Sequence, residues 1–313
     1  MDFNGLIRKF RINRPLTNWE RTHQLHTDRS KMDEPNGRDS VIKMNSTYLE
    51  CVDKFFEAKG IVTSGGFLGI GVIAFGVWAT TSVLFMIFGD EILTEQEKMM
   101  YGLFFILGIG VLLFIAYLFF RGLRREIFSL THWPIRFNRK NRMVYVTRLD
   151  GLVMGASWDE IFFAEGDCGG DGTRDVRGHI LDDDGETVLE TFALPFYADK
   201  SYPRRHAFWE FARRYMENGP AELMNKVGRL IDVDDRRERF GEGFMWHHRF
   251  AMNHLGMLGL LIIPISLFYA IGRWIAVHTS KIPQWPAEVE AECRIDPYDR
   301  YIVDRKHPPL ETL

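Results

Sequence analysis

Two apolar runs decide the fold of this chain: IVTSGGFLGIGVIAFGVWATTSVLFMIFG (residues 61–89) and MMYGLFFILGIGVLLFIAYLFF (residues 99–120). Neither run contains a charged residue. A helix needs about 20 apolar residues to cross a bilayer core of about 30 Å, and both runs are long enough. The sequence therefore predicts two transmembrane helices, over 61–89 and 99–120, joined by a short connector at 90–98.

A third apolar run, residues 250–276, predicts a third transmembrane helix, which Pro264 should kink. Aromatic and basic residues favour membrane interfaces. Those expected to anchor the two ends of this run are Trp246, Arg273 and Trp274. Three crossings place residues 278–313 across the membrane from the middle of the chain, as an extended tail. A third run that does not cross would instead leave the tail on the same side.

Charges near the predicted helices set the orientation. Lysine and arginine near membrane ends prefer the cytoplasm, whereas acids count for little. The basic residues after the second run are Arg121, Arg124 and Arg125. The acidic residues of the connector, which are candidate contacts for a partner outside, are Asp90, Glu91, Glu95 and Glu97. We therefore expect the connector outside and residues 1–60, with amphipathic helices, inside. No cleavable signal peptide is predicted, so the first run should serve as the insertion signal.

The hydrophobic period changes from helix to strand over residues 126–232. Residues 134–137, 143–147 and 158–163 are predicted strands. Two further strands flank Asp182-Asp183-Asp184-Gly185, which predicts a hairpin turn. A closing helix is predicted over 202–217, with Asn218-Gly219-Pro220 as its stop signal. The class predicted is an α+β membrane protein in which a small antiparallel β domain, closed by a C-terminal helix, lies in the cytoplasm.

The closing helix carries four arginines that have two interpretations. They are Arg204, Arg205, Arg213 and Arg214. Such a cluster is commonly a solvated helix face, but it could also contact anionic lipid or a protein partner. These four residues are therefore the candidate lipid- or partner-facing site of the domain.

Composition argues against several classes of function. The net charge of −3 gives no support for nucleic-acid binding. The three cysteines, Cys51, Cys168 and Cys293, are widely spaced and form no metal-binding or disulfide pattern. No nucleophile–base pair or phosphate-binding loop stands out, and three spans with few polar groups make a poor transport pathway. We therefore expect no catalytic residues, no cofactor and no metal.

Two motifs go beyond generic pattern: PIRFNRK (residues 134–140) and WEFARRYMENGP (residues 209–220). With the preceding hairpin, they resemble an uncharacterised-domain family of proteobacterial multipass membrane proteins, often encoded beside type VI secretion effectors. The resemblance covers roughly residues 60–230. The plan of strands followed by one amphipathic helix is similar to that of a pleckstrin-homology-like domain.

The family resemblance implies an immunity protein of the bacterial inner membrane. Such a protein binds and neutralises a cognate antibacterial effector without catalysis, with its N-terminus in the cytoplasm and its connector and tail in the periplasm. The alternative is a membrane-anchored scaffold or lipid-binding protein that uses the pleckstrin-homology-like domain. The expected partners are a toxin protein and membrane lipids, and a homo-oligomer is possible.

Overall fold

The computed structural model describes residues 9–29, 34–89, 93–167, 174–195 and 206–309, with the backbone alone at 247, 250, 251 and 253–258. The chain forms two compact units from alternating segments. Unit 1 comprises Met1–Ala58, Leu130–Glu238 and Ile282–Leu313, and unit 2 comprises Lys59–Ser129 and Arg239–Lys281. The chain therefore leaves unit 1 twice and returns to it twice.

Unit 1 contains two five-stranded antiparallel sheets. The strands of the first are β3 Val41–Met44, β4 Tyr48–Cys51, β5 Ile135–Asn138, β6 Met143–Thr147 and β7 Val153–Ser157, and they lie side by side in chain order. The strands of the second are β1 Arg14–Pro15, β2 Gln24–Leu25, β8 Phe162–Asp167, β9 Arg174–Leu181 and β10 Thr187–Ala193. The order in the second sheet is β1-β10-β9-β8-β2.

Aromatic residues fill the core of unit 1. The described residues of this unit include the helices α1 Asn18–Thr22, α4 Ala207–Asn218 and α7 Ala287–Glu292. The Trp209 ring on α4 stacks on Trp158 at 5.6 Å and packs against Phe163 at 4.6 Å between centroids. Gly219 ends α4 with a φ of 87°, a conformation that favours glycine. The predicted closing helix and its stop signal are confirmed within the described range.

Several sequence predictions for this unit are confirmed and others are wrong. The strands at 135–138 and 143–147 and the hairpin at Gly185 (φ 68°) agree with prediction. Within residues 1–60, where amphipathic helices were expected, Tyr48–Cys51 is instead the strand β4, because its residues pair with β5. The strand expected at 158–163 begins only at Phe162. After the stop signal the chain forms a single 3₁₀ turn, Ala221–Leu223.

The predicted domain at 126–232 is not self-contained. Strands β1 to β4 come from the segment that was expected to form amphipathic helices before the membrane. The C-terminal segment also belongs to this unit, since Met44 and Val303 exchange two backbone hydrogen bonds of 2.9 and 2.7 Å and Val303 is buried in the main core. The expectation of an extended tail is therefore wrong, because the C-terminal segment packs in the same unit as the middle domain.

Unit 2 is built on the helices α2 Ile61–Gly89 and α3 Glu95–Leu123. These two helices, together with the segment Gly259–Thr279, are long and apolar enough to cross a membrane. They approach closely where α2 has glycine, because a Cβ on Gly69 would come within 2.7 Å of the Phe119 ring. Their outer faces are apolar and exposed, as at Phe85, which is 79% exposed. The predicted helical hairpin is confirmed as local structure.

The third apolar run forms a second helical hairpin. It consists of α5 Phe240–Leu255, a 3₁₀ segment Gly256–Ile262 and α6 Ile263–Thr279. A Cβ on Gly259 would lie 3.2 Å from the Met252 Cα, so the 3₁₀ segment folds back over α5. Pro264 therefore lies in the first turn of a new helix, where proline is well tolerated. The prediction of one kinked helix over 250–276 is wrong.

Candidate functional site

The predicted arginine site on the closing helix is occupied by an internal ion-pair network. Arg204 and Arg205 lie outside the described residues. Arg213 is only 8% exposed, and its guanidinium donates to both carboxylate oxygens of Glu210 at 2.8 and 3.0 Å. Arg214 donates to the same carboxylate at 2.8 Å, and Glu210 is fully buried. A lipid- or partner-facing role for Arg213 would require this pair to open, so the expectation of a solvated arginine face is wrong at that residue.

Asp90 and Glu91 of the predicted acidic connector lie outside the described residues. Glu97 accepts from the backbone N–H and the hydroxyl of Thr94 and completes a capping box for α3. Glu95 is exposed and lies 3.4 Å from Lys98. The Glu97 carboxylate is thus held at the start of α3 by its hydrogen bonds to Thr94, and the Glu95 carboxylate is the more accessible of the two.

The predicted membrane anchors are arranged differently from expectation. Arg121 and Arg124 are exposed at the end of α3, and Arg125 is half-buried. Arg273 is 1% exposed and donates from Nη1 to the Lys59 carbonyl at 3.3 Å, so it does not reach water as a snorkelling side chain would.

The residues expected to mark opposite ends of the third span lie together. The guanidinium of Arg273 is 5.9 Å from the ring of Trp246. Trp274 is 45% exposed and stacks on His278 at 4.5 Å between centroids. The prediction that Trp246 and Arg273 lie at opposite interfaces is therefore wrong, because the helices that carry them form a hairpin.

Arg136 on β5 forms the centre of a buried cluster in unit 1. Its guanidinium lies between the rings of Tyr48 and Trp285, at 4.3 and 4.6 Å from their centroids. It donates to Glu50 at 2.8 and 3.1 Å and to Glu290 at 3.2 Å. Burial acts to lower the pKa of Arg136, but Glu50, Tyr48 and Glu290 together outweigh burial, so the pKa is raised. This cluster fixes the C-terminal segment on the first sheet.

A second polar cluster fixes the loop that follows α7. The Asp299 carboxylate accepts from the backbone N–H and hydroxyl of Ser46 at 2.7 and 2.8 Å and from the backbone N–H of Tyr301 at 2.9 Å. A rigidly held loop loses little conformational entropy when it binds a partner. The loop therefore presents its outward side chains in one arrangement.

The outward side chain of this loop is Tyr298, which is 94% exposed. Tyr301 and Ile295 beside it are 37% and 39% exposed. The loop borders a shallow recess lined by Ser46, Asp296, Pro297, Tyr298, Asp299, Arg300 and Tyr301. Tyrosine and arginine are enriched among residues that dominate binding energy in protein interfaces. We call residues 295–301 the tyrosine loop and take it as the candidate binding site.

The second sheet buries titratable groups on its polar face. His179 is buried, lies 3.4 Å from Glu20 and shares a 2.9 Å hydrogen bond with the Thr191 hydroxyl. Burial lowers the pKa of His179 to about 4, although Glu20 opposes the shift. Burial would raise the pKa of Glu20, but hydrogen bonds from Arg14 and Thr17 bring it to about 2. The pair is therefore a neutral imidazole beside a carboxylate at neutral pH.

A buried carboxylate caps α2, the first long apolar helix of unit 2. Glu126 accepts from the backbone N–H groups of Gly60 and Thr63 at 2.7 and 2.6 Å and from the Thr63 hydroxyl at 2.6 Å. The start of a helix carries partial positive charge and unpaired N–H donors, so a carboxylate stabilises it. The sequence analysis did not identify this residue, because a single acid after Arg124-Arg125 is typical of a charged linker.

Nothing among the described side chains points to a metal centre, since they contain no group of three or more histidine, cysteine or acidic residues that could hold an ion. The buried charges named above are each engaged with a partner inside the protein. The tyrosine loop was also missed from sequence, although the residues DPYDRY (296–301) carry two aromatics in a charged tail. These two aromatics are visible in the sequence, but the same pattern is compatible with an extended arm.

Together these features define a mixed α+β protein with three helices apolar enough to cross a membrane and two antiparallel sheets. The chain belongs to a family of unknown function (DUF6708), whose model matches residues 112–297, more than half of the chain. The match begins within α3 and extends past the third apolar run into the C-terminal segment, beyond the range of the predicted resemblance. No curated protein and no solved structure matches the chain significantly.

Proposed function

We propose that this chain is a membrane-anchored, non-catalytic binding protein whose tyrosine loop contacts a protein partner. Helices α2 and α3 supply the anchor, and unit 1 supplies the binding surface. The observation that carries the proposal is Tyr298, an almost fully exposed aromatic on a loop held by the Asp299–Ser46 hydrogen bonds. A large exposed aromatic on a rigid loop gains contact area on binding at a low entropic cost.

The family resemblance supplies the class of partner. We propose a cognate type VI effector that acts at the bacterial inner membrane, which makes the chain an immunity protein. Anchoring keeps the inhibitor at high effective concentration where damage occurs. Because residues 282–309 pack in unit 1, few residues outside the apolar helices are left for the opposite side. The proposal therefore places the contact on the side of unit 1, the cytoplasmic side if the arginines after α3 follow the positive-inside rule.

The alternative, a scaffold or lipid-binding protein with a pleckstrin-homology-like domain, has weaker support. Two sheets closed by α4 are compatible with such a plan. However, Arg213 and Arg214, which motivated lipid binding, both pair with the buried Glu210. Loss of their charge is therefore expected to destabilise α4, a result that would resemble loss of lipid binding.

A survival assay tests the proposal. The candidate effector encoded nearby is directed to the cytoplasm or the periplasm of a sensitive host, with and without this protein. We expect rescue from the effector in the compartment that contains unit 1. Failure to rescue from an effector that kills in both compartments would contradict the immunity function.

Two variants test the tyrosine loop in a binding measurement with the same effector. Tyr298→Ala removes the exposed aromatic, and Leu152→Ala removes an apolar side chain that is 65% exposed on the β6–β7 turn. We expect Tyr298→Ala to weaken effector binding by at least tenfold and Leu152→Ala to leave it unchanged, with equal membrane levels of both variants. Equal binding by both variants would contradict a role for the loop while leaving immunity through another surface open to the survival result.

A further inference from the structure

We infer that residues 240–279 form a re-entrant hairpin that contacts the lipid acyl chains of one leaflet, on the side of unit 1, and does not cross the membrane. The inference is independent of the proposed function. Its first support is connectivity. The chain leaves unit 1 after Glu238 and returns at Ile282, and residues on both sides of this excursion pack in the same unit. A water-exposed folded unit lies on one side of a bilayer, so the excursion crosses an even number of times.

The second support is that both ends of the hairpin lie at one end of unit 2. A Cβ on Gly60, just before α2, would come within 2.4 Å of the Arg273 backbone, and one on Gly243 within 3.2 Å of the Arg273 side chain. The Ser280 hydroxyl lies 3.3 Å from the Glu126 carbonyl, and the Lys281 N–H donates to the Ser129 carbonyl at 2.9 Å. The start of α5 and the end of α6 are therefore level with the start of α2 and the end of α3.

The third support is length. From Gly243, the helix α5 continues twelve residues to Leu255, a rise of about 18 Å at 1.5 Å per residue. The 29 residues of α2 rise about 43 Å from the same level. The tip of the hairpin thus reaches less than half of the way along α2. Residues 259–279 would be long enough to cross a bilayer if they formed one continuous helix. They do not, because the 3₁₀ segment at 256–262 turns the chain back before it reaches the far side.

The fourth support is the chemistry of the tip. Leu260 and Leu261 in the 3₁₀ segment are 55% and 76% exposed, and Ile265 at the start of α6 is 55% exposed. The charged Arg273 lies instead at the base, packed against Lys59 and Trp246. An apolar tip with a polar base is the arrangement expected of an element that enters the acyl region from one interface. Lipid acyl chains are therefore the partner that fits this surface.

Cysteine labelling tests whether residues 240–279 cross the membrane. Gln96→Cys reports the α2–α3 connector and Lys306→Cys reports the C-terminal segment; both positions are exposed, whereas the native Cys51 and Cys293 are buried. Both variants are made in a Cys168→Ser background, which serves as the control. A membrane-impermeant maleimide is applied to spheroplasts and to inverted vesicles. We expect the two positions to label from opposite sides, whatever the absolute orientation. Labelling of both from the same side would overturn the inference.

A depth measurement tests whether the tip of the hairpin stays within one leaflet. A nitroxide is attached at Leu261→Cys, at the tip, or at Val111→Cys, near the middle of α3 and 59% exposed, in the full chain in phospholipid vesicles. Collision with oxygen and with a water-soluble nickel chelate then reports depth. We expect Leu261 to lie in acyl chains but shallower than Val111. A tip at the depth of Val111 or deeper, or a tip in water, would overturn the inference.

Discussion

Units 1 and 2 differ in whether their large apolar side chains are buried or exposed. In unit 1, the large aromatic side chains point inward, as at Trp158 and Trp209, which are 0% and 1% exposed. In unit 2, the large apolar side chains point outward, as at Phe85 and Met86, which are 79% and 75% exposed. The few ionisable groups buried in unit 2, Glu126 and Arg273 among them, lie at one end.

This contrast is the one expected if α2 and α3 lie in lipid, as proposed above, while unit 1 lies in water. Burying apolar surface away from water drives the folding of unit 1, but in lipid that driving force is absent between helices. The exposed apolar faces of α2 and α3 are unfavourable in water and favourable among acyl chains. Substitutions at matched positions in the two units test this difference.

The largest effect is expected from Arg136→Ala in unit 1. Removing one partner of a buried ion pair leaves the other charge uncompensated, which costs about 3–5 kcal/mol of folding free energy. Here Glu50 would be left beside Trp285 without its cation. The matched control is Arg148→Ala, whose side chain is 42% exposed and pairs with Glu190 at the surface; exposed pairs contribute about 0–1 kcal/mol.

Thermal unfolding of the full chain in detergent, followed by tryptophan fluorescence, measures this difference. Thiol labelling of Cys293, which is 2% exposed in the intact protein, reports release of the C-terminal segment. Equal losses of stability for the two variants would contradict the buried cluster.

The second prediction compares two equally exposed apolar residues, one in each unit. Phe75, at the middle of α2, is 66% exposed and Leu152 in unit 1 is 65% exposed. Phe75→Arg is expected to cost about 3 kcal/mol of membrane insertion, because a charge at the centre of a spanning helix is poorly solvated. Leu152→Arg is expected to change stability by less than about 0.5 kcal/mol, because it faces water. The fraction of chain that resists alkaline extraction from membranes measures insertion, and an unaffected Phe75→Arg variant would argue against a lipid environment for α2.

The third prediction concerns the acid sensitivity of unit 1. His179 has a pKa of about 4 when folded and about 6.5 when unfolded. Between these values the unfolded chain binds the proton more tightly, so stability is complete above about pH 6.5 and falls as the pH drops, by about 3 kcal/mol near pH 4. His179→Asn, which retains an acceptor or donor for Thr191, should flatten this part of the pH profile. The exposed His307→Asn serves as control, and an unchanged profile in His179→Asn would assign the acid sensitivity to other groups.

The smallest effect is expected from Glu126→Gln in unit 2. The amide keeps the size of the side chain but loses the charge that three donors share, at a cost of about 2 kcal/mol. We expect faster hydrogen exchange of the amides at 60–66, at the start of α2. Glu95→Gln, at a side chain 91% exposed, is the control and should leave exchange unchanged. Identical exchange in both variants would mean that unit 2 does not depend on this cap.

The features that sequence predicted correctly are those encoded locally. The absence of charge over 61–89 is sufficient to define α2, and the alternation in Met143–Thr147 is sufficient to define β6. The Gly185 turn requires only one residue that tolerates positive φ. None of these depends on distant parts of the chain.

The features that were missed depend on contacts between distant segments. Pairing with β5 makes β4 a strand, although its residues have a helical apolar period. Hydropathy describes residues 250–276 as one run, whereas the fold back at Gly259 depends on its contact with Met252. Likewise, Arg136 in the short strand β5 gave no sign that Trp285 and Glu290, far along the chain, would cover it.

The division of unit 1 into three segments has a consequence for biosynthesis. Strands β3 and β4 leave the ribosome before the helical hairpin, and their partner β5 emerges only after that hairpin has been made. The first sheet is therefore incomplete, with the pairing edge of β4 open, while the apolar helices α2 and α3 are being synthesised. Val303 and Trp285, which complete the core and the Arg136 cluster, emerge later still. Completion of unit 1 is thus a late event, because it requires that both intervening segments of unit 2 have been synthesised.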